Sequence, residues 1–132
     1  MKYRHETPSL YLATFCGLLF IVGVAYAWDA PVEADQIKNP VPTTPQSVEN
    51  GKGLFKKHCV VCHGKEGKGD GASSLSLDVE PGDLTAKELK SQSDGALYWK
   101  ISVGNGHMPN WELILKEKDR WDLVNYIRTL VK

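Results

Sequence analysis

The sequence has no net charge. Its 16 Lys and Arg residues are balanced by 16 Asp and Glu residues, so it lacks the basic excess that draws a protein to nucleic acid, and no such partner is expected. Cysteine is scarce. Three residues, an odd number, exclude a framework in which every cysteine is paired in a disulfide. Methionine is scarcer still, with Met1 and Met108 alone. An alternating apolar–polar run of useful strand length is missing, and so is any internal repeat, which leaves a mainly helical, all-α domain as the expectation.

Charge is also missing locally. From Thr7 to Trp28 no residue is charged, while Lys2 and Arg4 precede the stretch and Asp29 ends it. A positive start followed by a long apolar run describes an export segment. As a helix, residues 10–28 would extend about 28 Å, close to the hydrocarbon thickness of a bilayer. That length favours a retained transmembrane anchor, whereas Ala25-Tyr26-Ala27 is a fair cleavage site for a removed signal. In either case Lys2 and Arg4 favour a cytoplasmic N-terminus. The remainder is then periplasmic or on the outer face of the cytoplasmic membrane. Cys16 has apolar residues well beyond it, which does not suit a lipoprotein cleavage site, and it reads as a small apolar residue of the segment.

Three regions follow from these shifts in composition: residues 1–28 as export signal or anchor, 29–46 as a linker, and 47–132 as the folded domain. Pro31, Pro40, Pro42 and Pro45 make the linker extended and semi-stiff, able to hold a domain off a membrane. In the domain, Pro45 and Ser47 are start signals for a helix over 47–58. Ser93 can cap a helix carrying Leu97, Ile101 and Val103 that stops at Gly104. Asp119 can cap a last helix on which Leu123, Ile127 and Leu130 repeat at i, i+4, i+7. Such a domain, of roughly 85 residues, buries a thin core and benefits from a staple.

Cys59-Val60-Val61-Cys62-His63 is the pattern of c-type haem attachment. Two thiols three positions apart on a helical turn can each form a thioether with one haem vinyl group, and the following histidine then lies under the iron. A zinc site would need a second cysteine pair, and His58 and His107 have no spacing that supplies one. A thioredoxin-type redox pair would need a βαβ context that is missing. For the second axial ligand, the candidate is Met108 in Gly104-Asn105-Gly106-His107-Met108-Pro109, a loop without regular backbone that can bring one side chain to an iron. His107 is its rival. Gly64 to Gly69 lacks the spacing and the preceding strand of a phosphate loop. Lys52, Lys56, Lys57, Lys65 and Lys68 cluster around the haem motif, either as a solvated face or as a surface that steers acidic partners.

These residues together resemble the class I cytochromes c over essentially all of residues 47–132. Gly51 and Phe55 resemble the family's first-helix glycine and aromatic, and Leu123 and Tyr126 the pair on its last helix. Met108-Pro109 resembles the distal loop. Pro81 to Leu84 resembles the segment whose proline carbonyl accepts the proximal histidine N–H. The resemblance implies a small cytochrome c fold of about three to five helices around one haem c, covalent through Cys59 and Cys62. Its iron would be held by His63 and Met108. The implied function is electron transfer without an enzymatic site, between a quinol-oxidising complex and an oxidase, reductase or reaction centre. The alternative is a fixed single-haem subunit of a larger respiratory or photosynthetic complex. Trp99 and Trp111 are candidates to pack on the haem or to donate an N–H to a propionate.

Overall fold

The fold is taken from a computed structural model that describes residues 28–132. The segment expected to export or anchor the chain, up to residue 27, lies outside the described residues. Among the described residues no helix is long and apolar enough to cross a membrane. Four α-helices carry the fold: α1 (Pro45–His58), α2 (Val60–His63), α3 (Asp94–Val103) and α4 (Glu117–Leu130). Four short 3-10 turns link or flank them, and a lone bridge between Asn105 and Met108 is the one β-type pairing described. The all-α expectation therefore holds.

Helix α1 begins two residues before the expected start. Pro45 occupies the first turn, where its missing N–H costs nothing, and the Thr44 hydroxyl accepts from the Ser47 amide at 3.2 Å. Ser93 does cap α3, accepting from the Ala96 amide at 3.0 Å, and Gly104 ends it. Asp119 is not a cap. Helix α4 starts at Glu117 after Lys116, and Asp119 sits inside its first turn, where a carboxylate still favours the helix dipole.

The core forms where α1 crosses α4. A Cβ on Gly51 would fall 2.0 Å from the Asp122 carbonyl oxygen and 2.8 Å from the Tyr126 Cβ, so only glycine allows the two backbones this approach. Phe55 then meets Tyr126 with ring centroids 5.3 Å apart. Leu123, Val124 and Ile127 of α4 are buried with Phe55 and with Leu97 and Ile101 of α3. Tyr98 of α3 stacks on Trp121 of α4 at 3.9 Å, and the Arg120 guanidinium lies over the outer part of that pair, 4.8 Å from the Tyr98 ring.

The Pro-rich segment is not a free spacer. Asn125, buried in α4, accepts from Asn39 Nδ2 at 2.8 Å and from Thr43 Oγ1 at 3.0 Å. It donates to the Val41 carbonyl at 3.2 Å and to Ser47 Oγ at 2.8 Å. Ser47 in turn donates to buried Asp122 at 2.6 Å, and Lys118 reaches the other oxygen of that carboxylate at 2.6 Å. Further upstream Ala34 is buried, and Asp35 accepts from the Ser93 hydroxyl at 2.5 Å. Residues 28–44 thus form a strap across the helices, held by partners that lie far away in the sequence.

Candidate functional site

The Cys59–His63 motif lies where α1 gives way to the single turn of α2. The His63 amide donates to the Cys59 carbonyl at 2.9 Å, closing a helical turn from which Cys59 and His63 face one cleft, while Cys62 is half-buried outside its lining. Beyond it the glycine-rich loop folds back onto the motif. Gly69 donates to the His63 carbonyl at 2.9 Å and Gly71 to the Cys62 carbonyl at 3.0 Å. The loop's amides are spent on the motif rather than offered to a phosphate. At Gly69 φ is +80° and an added Cβ would fall 2.2 Å from the Pro81 carbonyl oxygen, so this glycine lets the segment from Pro81 onward lie against the motif. The Leu84 amide donates to the Gly67 carbonyl at 2.7 Å and fixes that approach.

The consequence is a defined imidazole. His63 Nδ1 stands 3.1 Å from the carbonyl oxygen of Gly82. A carbonyl only accepts, so Nδ1 carries the proton and Nε2 keeps its lone pair for a metal. The acceptor is one residue beyond the expected Pro81, whose own oxygen faces Gly69 instead. Burial pushes the His63 pKa below the ordinary histidine value, with the Gly82 hydrogen bond opposing, and so favours the neutral, ligating imidazole. Burial also pushes the free Cys59 thiol up to about 12.

His63 and Cys59 line a cleft of about 200 Å³. Its walls are apolar. Phe55 of α1, Leu97 and Ile101 of α3, and Leu123 and Ile127 of α4 form the floor, and Leu84 and Leu89 come from the connecting segment. Met108 and Trp111 line the same cleft from the loop after α3. That loop is held by reciprocal backbone hydrogen bonds between Asn105 and Met108, at 3.0 and 2.9 Å. His107 is not in the cleft wall. Its Nε2 lies 2.5 Å from Asp78, in an exposed pair that holds the Asp78 carboxyl below its usual range. Of the candidate ligands in this loop, the structure brings Met108 alone into the cavity with His63.

An imidazole with a free Nε2, a thioether sulfur and broad apolar walls suit a flat, hydrophobic macrocycle carrying a metal. The cytochrome c family model matches residues 48–131. The chain belongs to the cytochrome c family. Its cofactor is haem c, for which Cys59 and Cys62 have the attachment spacing. Among solved structures, a chain of the reducing HAO-like protein complex of Kuenenia stuttgartiensis superposes with a TM-score of 0.65 at 28% identity, over 73% of this chain and 50% of that one. This cytochrome c therefore spans half the length of that neighbour. No curated protein matches it.

Two cavity residues escape a reading of the sequence. Trp28 falls at the end of the export segment in the sequence, yet it lines the haem cleft and packs on Trp99 with centroids 6.3 Å apart. Its position after a charge-free run disguised it. Lys100 also lines the cleft, although a lysine on a helix ordinarily signals the solvent side. Of the two tryptophans singled out, Trp111 reaches the cleft and meets His58 edge-on at 5.2 Å, while Trp99 supports Trp28. The lysine cluster is partly neutralised: Lys68 pairs with Glu66 at 2.7 Å and Lys52 with Glu49 at 3.8 Å.

Proposed function

We propose that this protein is a class I cytochrome c whose iron is held by His63 Nε2 and Met108 Sδ, working as an electron carrier on the outer face of a membrane. The observation that carries the ligand assignment is the shared cleft: Met108 and His63 both line it, and His107 is engaged with Asp78 outside it. The haem supplies a one-electron couple between ferric and ferrous iron. The chain's own residues do the rest. Gly82 holds the imidazole ring in one orientation, the Asn105–Met108 bridge holds the thioether side of the cleft, and the leucine and isoleucine walls keep water from it. Held by His63 and Met108 together, a haem would have no position open to a substrate and would supply one-electron transfer. Thioether sulfur is a soft donor that favours the ferrous state and a higher potential than a second imidazole.

The ferric near-infrared spectrum tests the assignment. A methionine-sulfur charge-transfer band with low-spin iron is the expected result. High-spin iron would turn the reading toward catalysis or gas sensing, and a low-spin spectrum without the band toward His107.

The segment that ends before Trp28 serves, in this reading, as an export or anchoring segment, supported by the absence of charge in it from Thr7 onward. The strap that follows is docked on the domain, so a retained anchor would keep the haem cleft close to the membrane surface. Redox partners there are a quinol-oxidising complex on one side and an oxidase, reductase or reaction centre on the other. A second reading, a fixed subunit of a larger redox assembly, is favoured by the likeness to a chain of a multi-protein complex. Mild detergent extraction followed by size measurement separates the two, because a free carrier migrates alone.

A further inference from the structure

The family match covers residues 48–131, yet one residue of the haem cleft comes from outside that range. Trp28, the first residue of the strap, lines the cleft together with side chains of α1, α3 and α4. The strap reaches that position by following one face of α3, on which Gly95 and Trp99 stand about one turn apart. A Cβ on Gly95 would fall 2.0 Å from the Ala34 carbonyl oxygen and 2.7 Å from that of Ile37, so this glycine lets the strap backbone lie directly on the helix. The 3-10 turn Val32–Gln36 is closed by the Ala34 amide on the Pro31 carbonyl at 2.9 Å and by the Ile37 amide on the Ala34 carbonyl at 3.1 Å, with Ala34 buried beneath it. Asp35 ties the turn to Ser93, the cap of α3. Further along the same face, Trp99 meets Trp28 with ring centroids 6.3 Å apart and planes inclined at 51°.

Ordering a segment of this length costs much conformational entropy, so its docked course needs compensating contacts. Trp28 is half-buried, with Trp99 on one side and the cleft on the other. A flat apolar macrocycle in that cleft offers the indole further surface to cover. We propose that the strap is a working part of the cofactor site: Trp28 covers the haem from outside the family domain, and the docking of the strap on Gly95 sets the reduction potential by keeping water away. An apolar shell controls solvent access to a metal centre, and a drier surrounding disfavours the more positive ferric form. The inference rests on the family's haem and not on which residue is the sixth ligand.

The haem-loaded full-length protein tests it through Trp28→Ala, Trp28→Phe and Gly95→Val. The first removes the cover and keeps the strap's docking points. The last keeps every cleft residue and pushes the strap backbone off α3. The readouts are the reduction potential, the response of the Soret band to added ethylene glycol, which reports solvent access to the haem, and limited proteolysis within residues 28–44. Trp28→Ala should lower the potential and enlarge the Soret response. Gly95→Val should do the same and also speed cleavage of the strap. Trp28→Phe keeps a flat apolar ring and should bring potential and Soret response back toward the wild-type values. The near-infrared methionine band should persist in all three, which separates this result from a failure of the Met108 assignment. Wild-type potential and Soret response in Trp28→Ala would overturn the proposal. So would a Gly95→Val protein whose strap is cut faster at an unchanged potential. An effect of Trp28→Ala that phenylalanine does not restore would overturn it as well, since that would assign the effect to the indole N–H and not to the cover.

Discussion

The crossing of α1 and α4 and the wall formed by the Met108 loop are built on opposite principles. At the crossing, protein packs on protein. Gly51 brings backbone to within van der Waals reach of Asp122, Phe55 fills the adjoining space, and the polar groups of Ser47, Asp122 and Asn125 all find partners. The distal side has no comparable interior. Between His63 and Pro109 the chain makes one helix of ten residues and two short turns, and Leu75 and Val79 stand 98% and 72% exposed. Its apolar residues Leu84, Leu89, Met108 and Trp111 turn toward the haem cleft. One half of the domain is thus stabilised by its own contacts, while the other half is organised around a cofactor that supplies the missing hydrophobic surface.

The severest way to break this contrast is to remove the attachment. Replacing Cys59 and Cys62 by Ala should abolish covalent haem, read by haem staining after denaturing electrophoresis, and should leave a chain without a cooperative unfolding transition. Any remaining hydrogen-exchange protection should be confined to α1 and α4. An apo-domain that unfolds cooperatively with a protected distal loop would show that the loop side does not need the cofactor.

The next largest effect strikes the protein-built half. Gly51→Ala places a methyl group on the Asp122 carbonyl, so the helices must move apart, at a cost of about 3 kcal/mol in denaturant unfolding of the haem-loaded protein. A loss below about 0.5 kcal/mol would mean that the crossing is looser than its geometry implies. Asn125→Ala should follow, at about 2 kcal/mol, because it removes a buried side chain and strips partners from Asn39, Thr43 and Ser47 together. That variant should also release the strap, seen as faster proteolysis within residues 28–44 while α3 and α4 stay resistant.

Much of the site was legible in the sequence because its chemistry is local. The CxxCH spacing fixes two thioethers and an imidazole within one turn, and the lone methionine outside the first residue sits in an irregular loop that must face something. Gly51, Phe55 and Tyr126 were legible through the resemblance, and the close approach of the helices gives the physical reason for the glycine. The strap was not legible. Its prolines and polar residues have the composition of a linker, and what docks it are hydrogen bonds of the Asn125 side chain, which accepts from the Asn39 and Thr43 side chains and donates to the Val41 carbonyl, more than 80 positions away, and these leave no periodic trace. Trp28 in the cleft wall follows from the strap and was hidden with it. The exchange of Gly82 for Pro81 as acceptor is a one-residue register difference, set by the contact of Pro81 with Gly69 rather than by residue type.

The mildest perturbation of stability sharpens the contrast on its functional side, because Met108 and His107 are neighbours in one loop that face different ways. Met108→Ala removes a half-buried apolar side chain, and with it the bond that would tie the Asn105–Pro109 segment to the iron. The stability loss should be on the order of 1 kcal/mol, with a fall in potential and a site opened to cyanide or carbon monoxide. His107→Ala removes an exposed partner of Asp78 and should leave the spectrum and potential where they were. Each variant disturbs the same backbone, so any general loosening of the loop is common to both and cancels in the comparison. Low-spin iron that survives Met108→Ala but not His107→Ala would reverse the assignment. The imidazole would then have to leave Asp78 and enter the cleft when haem is bound, and the protein would be a bis-histidine cytochrome of lower potential.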